Sequence, residues 1–538
     1  MSATSPRAVG PGAVTAVIAL SGVVVSLMQT LVVPIIPMLP SLLDASASDA
    51  SWVITATLLA AAVVTPIAGR LGDMYGKRKV LIGSLAALVA GSVLCAVSDG
   101  LVPVIVGRVL QGLATGVIPV GISMLRDTLP APRVGGAVAL VSASLGVGGA
   151  IGLPLSAAIV ENADWHVLFW LAAGLGALCL ALVVALLPAP PSRATERFDT
   201  PGAIGLAVGL VGLLLPVTKG GDWGWTSGTT LGLFAAGVVV LVGWAAYEMR
   251  VAQPLVDLRV TVRRPVLFTN LASVLVGFAM YAMSLTLPQL LQSPAATGYG
   301  LGQSTLMAGL ALAPGGLVMM ALSPVSTRIT ARHGARTSLL IGVAVIGLGY
   351  AVGLFLMAEV WQIVVTAVLV SGGVGIAYAA MPALIMDAVP VTETASANGV
   401  NALMRSIGTS TSSAVMAAVL SNMTLRLGPA EVPTENGFRV TYVVAMGAAA
   451  VGVLLTLAIP RVRRTDGTRG ADGAEGTDGA HESADPGAPG APADVSRTSS
   501  ASRTASATPT SGASRTPSAT PTSGASRNPD APTSTEAR

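Results

Sequence analysis

Charge is scarce in this chain. Asp, Glu, Lys and Arg make up 10% of its 538 residues, whereas a water-soluble domain carries about 25% to cover its surface. A soluble globular domain is therefore excluded. Histidine is scarcer still: His166, His333 and His481 are scattered, and no cluster reads as a metal site. The two cysteines, Cys95 and Cys179, lie within apolar runs. They cannot form a disulfide scaffold and read as small packing residues. No basic face suggests nucleic acid, and the net charge is only +4. A catalytic dyad and a phosphate-binding loop are both missing, so neither an enzyme nor a cofactor is expected.

What the chain has in abundance is apolar and small. Hydrophobic residues reach 52%, glycines number 62, and the mean hydropathy is +0.74. Small residues let helix backbones approach closely in lipid. About 20 apolar residues cross the roughly 30 Å hydrocarbon core as a helix. Fourteen such runs are read, at 14–39, 52–68, 80–98, 102–125, 137–160, 167–187, 203–217, 229–247, 266–291, 304–322, 338–357, 361–386, 400–421 and 440–459. The seventh is the shortest. The first run has no signal-peptidase site and reads as a retained span.

Lys and Arg remain on the cytoplasmic side of a membrane. Alternate segments hold nineteen of them, from Arg7 through Arg70, Lys77, Arg78 and Lys79 to Arg464, while the intervening loops hold Lys219, Arg426 and Arg439. Both termini are therefore expected in the cytoplasm. Trp52, Trp165, Trp223, Trp225 and Trp361 fall at outer ends, as an interfacial aromatic belt would. Residues 1–13 read as a cytoplasmic N-terminus. Beyond Arg464 the chain turns to Ser, Thr, Ala, Pro and Gly, with SATPTSGASR repeated at 506–515 and 518–527. Such a segment has nothing to bury, so 465–538 is expected to be a disordered tail.

The chain also repeats itself near an offset of about 260 residues. Pro66, Arg70, Gly76 and Arg78 recur as Pro324, Arg328, Gly334 and Arg336; Gly112, Asp127 and Pro130 recur as Gly372, Asp387 and Pro390; Ser144 and Gly146 recur as Ser406 and Gly408. The matched runs lie eight apart, so the halves are parallel. The expected architecture is all-α: a six-helix bundle over 14–187, two inserted helices over 203–247, and a second six-helix bundle over 266–459. Parallel repeats about an axis along the membrane normal suit alternating access to a midplane site.

Ionisable groups inside a span are expensive and mark function. By these boundaries only Arg108 and Arg405 lie well inside one. Arg108, near Gln111 and Gly112, reads as a cavity cation. Arg405 begins a polar face with Ser406, Thr409, Ser410 and Ser413, and is long enough to snorkel to the inner surface. Gly69, Arg70, Gly72, Asp73, Gly76, Lys77 and Arg78 form a loop whose glycines permit a tight turn and whose cations anchor the inner surface. Asp73 can pair with Arg or cap a helix start.

This loop is similar to the signature loop of the major facilitator superfamily. Val104 to Gly116 resembles that superfamily's fourth-helix motif. Gly146, Gly148, Gly149, Gly152 and Pro154 resemble the glycine-proline motif of its exporters, with Gly-Leu-Pro at 152–154 in place of Gly-Pro. Over about residues 13–462 the chain resembles the drug:proton antiporters with fourteen helices. The resemblance implies proton coupling through Arg108, conformational switching through Asp73, and a bend or close contact at the span 5 glycines. It also implies a lipophilic small-molecule substrate, protons as the driving ion, and a monomer in a bacterial inner membrane. The family's first helix carries an aspartate where this chain has Gln29, which cannot titrate. Asp127, Glu161, Asp387 and Glu393 are the candidates to carry a proton instead. The Ala-, Gly-, Arg- and Val-heavy composition looks actinobacterial, and in that setting the resemblance implies an exporter of antibiotics. A proton-coupled importer of a nutrient or siderophore, and a sensor signalling through the tail, are the alternatives.

Truncation after Arg464 is expected to leave membrane insertion and transport intact, because 465–538 carries no anchor. Vesicle transport by a well-expressed truncation checks this, and complete loss would reopen the sensor reading.

Overall fold

The computed structural model describes residues 10–188, 197–427 and 430–460. Residues 1–9 of the expected N-terminal segment and the tail at 465–538 lie outside them. The apolar runs fold as long helices: α1 Pro11–Thr30, α2 Trp52–Tyr75, α3 Lys77–Ala96, α4 spanning Leu101–Thr128 through a short 3-10 turn, α5 Ala131–Asn162 and α6 His166–Leu186. An added pair follows, α7 Thr200–Trp223 and α8 Gly228–Glu248. The second half comprises α9 Arg264–Gln292, α10 spanning Thr305–His333, α11 Ala335–Gly353, α12 Val360–Ala388, α13 Thr394–Asn422 and α14 Glu435–Leu457. Several of these helices start at side-chain caps: Asp199, Ser227, Ser304 and Thr434 each accept a first-turn amide, replacing partners that the helix itself cannot supply.

Among the described residues, thirteen helices are long and apolar enough to cross a membrane. The remaining long helix, α13, has 29 residues but carries Asn398, Asn401, Arg405 and a run of Ser and Thr. Several of those groups are paired within the protein, though Ser412 Oγ is not: Asn401 Nδ2 donates to Asn270 Oδ1 at 2.9 Å and to Ser273 Oγ at 2.7 Å, both on α9. Buried pairing of this kind lets a polar helix sit at membrane depth.

Two apolar cores divide the chain. One gathers side chains from α1 to α6 and the other from α9 to α14. They meet along two helix pairs, α2 with α13 and α5 with α10, and glycine governs both contacts. A Cβ on Gly69 of α2 would strike the Ala395 carbonyl of α13, and one on Gly399 would strike the Thr65 carbonyl of α2. On the other side, Gly316 and Gly309 of α10 lie against Gly146, Ala150 and Pro154 of α5. These approaches are open only to residues without a side chain. Since α10 repeats α2 and α13 repeats α5, the two contacts are one contact repeated.

The repeat is visible in detail. Gly76 and Gly334 both take positive φ, 104° and 86°. Arg78 then donates to the Val184 carbonyl at 2.6 Å, and Arg336 to the Leu457 carbonyl at 2.7 Å. In each half a guanidinium caps the last helix of its bundle, where cations are favoured.

Three expectations need correction. The stretch from Gly69 to Lys79 is not a loop: α2 runs to Tyr75 and α3 starts at Lys77, so Gly76 alone makes the turn. Arg108 and Arg405 are not the only ionisable groups within helices, because Lys219 and Glu248 are helical and 1% and 2% exposed. Trp165 is buried against Phe169 with ring centroids 5.8 Å apart, and Trp52 lies under a cation, so neither belongs to a lipid-facing belt. The structure also adds an antiparallel hairpin, β1 Thr424–Leu427 with β2 Ala430–Pro433, between α13 and α14. Tyr299 Oη donates to its Pro433 carbonyl.

Lys219 fastens the added pair. Its ammonium donates to the Ser48 carbonyl at 2.5 Å and to Ser51 Oγ, meets Asp222 Oδ2 at 3.2 Å, and lies 5.3 Å from the Trp52 ring centroid. Lys219→Met should destabilise the protein by about 1–3 kcal/mol, the cost of stranding buried acceptors. Thermal unfolding in detergent reads this as a lower transition; an unchanged one would make the contact incidental.

Candidate transport site

Between the bundles lies a cavity of about 280 Å³, close to the lower end of the roughly 300–1,000 Å³ typical of ligand pockets. The outer part of α1, the start of α2, the middle of α5 and α9, and α10 line it. Apolar groups dominate, with Met280, Met283 and Met319 among them, and Gln29, Thr30, Tyr281, Ser284 and Thr409 supply polar points. Among the described residues, Arg108 is the one charged residue in its wall and no carboxylate lines it.

Arg108 is 2% exposed. Its Nε donates to the Val53 carbonyl at 3.2 Å, and its Nη1 to the Met28 carbonyl at 3.3 Å and Gln111 Oε1 at 2.6 Å. Gln111 in turn donates to Ser92 Oγ at 2.8 Å. The guanidinium thus joins α1, α2 and α4 through neutral acceptors, and its positive charge stays uncompensated beside the cavity. Of the residues the sequence nominated for the cavity, Gln29 and Arg108 line it and Gln111 stands directly behind Arg108; Gly146 and Gly149, nominated for helix packing, line it as well.

The remaining glycines of α5 do a different job. Gly148 and Gly152 face α1, where a Cβ would meet Ser26 and Thr30 respectively. Pro154 backs onto Gly309 of α10. Helix α5 is thereby wedged between α1 of its own bundle and α10 of the other. Arg405 does not reach the cavity and does not snorkel. Its Nη1 donates to Asn401 Oδ1 at 2.7 Å, and its guanidinium stacks 5.1 Å from the Tyr378 ring centroid.

Inward of the cavity the seam is closed. Asp73 accepts from the Ser396 amide at 2.9 Å and the Ala395 amide at 3.3 Å. These are free donors in the first turn of α13, where helix geometry favours an anion. Lys77, 8% exposed, supports Asp73 from 3.8 Å and pairs with Asp127 at 2.5 Å. Arg126 Nη1 donates to Thr394 Oγ1 at 2.6 Å. The motif residues thus converge: Gly69 permits close approach, Gly72 packs on Val120 of α4, Gly76 makes the turn, and Lys77 supports Asp73. Arg70 lies on the same stretch of α2, and Arg78 points away to α6. Sequence reasoning allowed Asp73 to cap a helix start but could not name the two donors, because they are backbone amides, which no side-chain pattern reveals. It missed the Lys77 support although the i, i+4 spacing from Asp73 signals it.

The inner seam is thus closed beneath a cavity set in the outer half. The chain is similar to several known proteins. A model of the Major Facilitator Superfamily matches residues 18–413 and again 271–509. The chain is 27% identical over 328 residues to the tetracenomycin C resistance and export protein of Streptomyces glaucescens, covering 60% of each. It is 26% identical over 391 residues to a probable actinorhodin transporter of Streptomyces coelicolor, covering 70% of this chain and 66% of that one. In both cases the match spans less than two thirds of the relative's own length. Multidrug resistance protein 3 of Bacillus subtilis is 25% identical over 383 residues, with 69% and 72% covered. Among solved structures, the human organic anion transporter MFSD10 (TETRAN) superposes with TM-score 0.59 at 16% identity, over 84% of this chain and 100% of that one. The proton:xylose symporter XylE gives TM-score 0.59 at 14% identity, with 84% and 96% covered. At such identities these structures bear on the fold alone. The chain belongs to the Major Facilitator Superfamily and is a multi-pass membrane protein.

Proposed function

We propose that the protein exports lipophilic, amphipathic small molecules such as antibiotics across a bacterial inner membrane, by alternating access driven by the proton gradient. The observation that carries this reading is the cavity wall: methionines and aliphatic side chains, a few hydroxyls, and one buried cation. Flexible, polarizable walls accept varied apolar bodies without demanding many hydrogen bonds. Relatives named for antibiotic export and multidrug resistance support the same direction of transport.

Cavity electrostatics narrow the cargo. With Arg108 present and no carboxylate in the wall, a lipophilic cation meets repulsion in a dry site, while a neutral or anionic amphipath gains attraction. In a drug-sensitive host, the protein should raise resistance to neutral and acidic lipophilic compounds and leave sensitivity to lipophilic cations unchanged. An uncoupler should erase the effect. Gln29→Asp, which adds a carboxylate to the wall, should extend resistance toward cations. Strong resistance to cations in the unaltered protein would contradict this reading.

Arg108 is proposed to couple substrate and proton movements through its hold on α1, α2 and α4. Arg108→Ala should insert normally and lose coupled transport. Arg108→Lys should recover only part, because a point charge cannot reproduce the three contacts made by Nε and Nη1. Gradient-driven transport in reconstituted vesicles measures both; normal pumping by the alanine variant would make Arg108 structural.

A further inference from the structure

No carboxylate lines the cavity and Gln29 cannot titrate, so a proton-driven cycle needs an acid elsewhere. The four acids nominated from sequence lie near helix ends: Asp127 is paired with Lys77, and Glu161 is exposed. A different pair stands out at the inner end of the two added helices. Asp199 caps α7, and Glu248 is the last residue of α8. They are 8% and 2% exposed. Asp199 Oδ1 accepts from the Gly202 amide at 3.0 Å and from Tyr247 Oη at 3.0 Å. Its Oδ2 and both oxygens of Glu248 are buried without a hydrogen-bond partner. A Cβ on Gly202 would collide with Asp199 Oδ2 and Glu248 Oε1 alike, so the unpartnered oxygens face one small space.

We propose that Asp199 and Glu248 share an exchangeable proton, and that this proton sets the inner seam through the segment joining α8 to α9. The first half stands on the geometry alone; the second rests on the proton-driven reading above. Two carboxylates confined together away from water cannot both be ionised at neutral pH. Helix electrostatics decide where the proton rests. Asp199 sits at the N-terminus of α7, which stabilises an anion, and Glu248 at the C-terminus of α8, which disfavours one. Glu248 therefore holds the proton, and its O–H donates to Asp199 Oδ2. A metal ion fits less well, since hard cations take six or more oxygen ligands and the described residues hold no group of three acids, histidines or cysteines suited to one.

The route to the seam is short. Beyond Glu248 the chain turns back, and Leu255 and Val256 bury themselves against Leu206 and Leu210 of α7 and Val400 and Leu403 of α13. Their amides are the backbone donors beside Glu248, though neither closes a well-formed bond to it. The Leu255 carbonyl accepts from Ser396 Oγ at 3.3 Å, and the Ser396 amide holds Asp73. Loss of the proton turns Glu248 into a strong acceptor that draws these amides inward, pulling Leu255 from Ser396 and loosening the start of α13. Proton binding restores the contact. Of the other charged groups on the packed elements, Asp257 accepts from the Arg259 and Val260 amides, Arg259 donates to the Met249 carbonyl, and Arg405 holds Asn401. Lys219 lies at the opposite end of α7, Arg197 and Arg250 are two residues from Asp199 and Glu248 but exposed, and Arg70 and Asp73 belong to α2.

Infrared difference titration of the full chain in lipid vesicles tests the site. The expected result is a protonated-carboxyl band that survives at neutral pH and is lost in Glu248→Gln, which keeps the neutral shape. Gly202→Ala, which pushes the two carboxyls apart, should shift the band. An unchanged band in Glu248→Gln overturns the site, and a band erased by Na⁺ at constant pH replaces the proton with a metal cation. Vesicle transport tests the coupling: an imposed pH gradient should accelerate the wild type, and Glu248→Gln should lose that acceleration. Equal acceleration in both refutes the coupling. A wild type that ignores the gradient while keeping the band refutes the proton-driven reading, and the coupling with it, but leaves the shared proton in place.

Discussion

The arrangement rests on one contact, the Asp73 carboxylate against the first amides of α13. A helix start leaves its N–H groups without partners and carries a partial positive charge. A carboxylate from the other bundle satisfies both needs at once. Hydrogen bonds to a charged group contribute about 1.5–3 kcal/mol, enough to bias a two-state equilibrium roughly ten- to a hundredfold. That magnitude suits a switch: it holds one state without making the other inaccessible. Lys77 and Asp127 keep the Asp73 carboxylate presented, and Gly69 lets the two helices come close enough for it to reach.

The contact is not duplicated by the repeat. The glycine turn and the arginine cap recur in both halves, but the position of Asp73 is taken by Ala331 in the second. The α5–α10 contact therefore relies on glycine-lined packing, and the α2–α13 contact adds an electrostatic latch. One seam is smooth and the other is keyed. The cavity lies outward of the latch, so in the proposed alternating-access cycle Asp73 would have to leave α13 for the inner side to open.

Much of this was legible in the sequence. Hydropathy located the helices, loop cations gave the orientation expected, and matched glycines and arginines revealed the repeat. Arg108, Gln29 and the α5 glycines were found because a charge, an amide or a small residue is conspicuous in an apolar run. Other features hid for physical reasons. Asp73's partners are main-chain amides, which carry no residue signature. Lys219 was placed in a loop because hydropathy windows end spans at a charge, whereas α7 runs on through it to Trp223; Glu248, just outside the run at 229–247, is the last residue of α8. Helix α13 shows the converse, since its apolar content understates a helix whose Asn401 is held by α9 and whose other polar groups bond largely along the helix itself. The hairpin at 424–433 was too short to register.

The central claim is that Asp73 holds the inner seam shut. Spin labels at the exposed positions Tyr75, closing α2, and Val391, preceding α13, measure the gap directly in reconstituted protein. In an otherwise unaltered chain the account requires a major short-distance population. Asp73→Asn should shift weight to longer distances, by roughly the ten- to hundredfold change in the ratio of states that one charged contact supplies. Identical distance distributions with and without the Asp73 charge would contradict it.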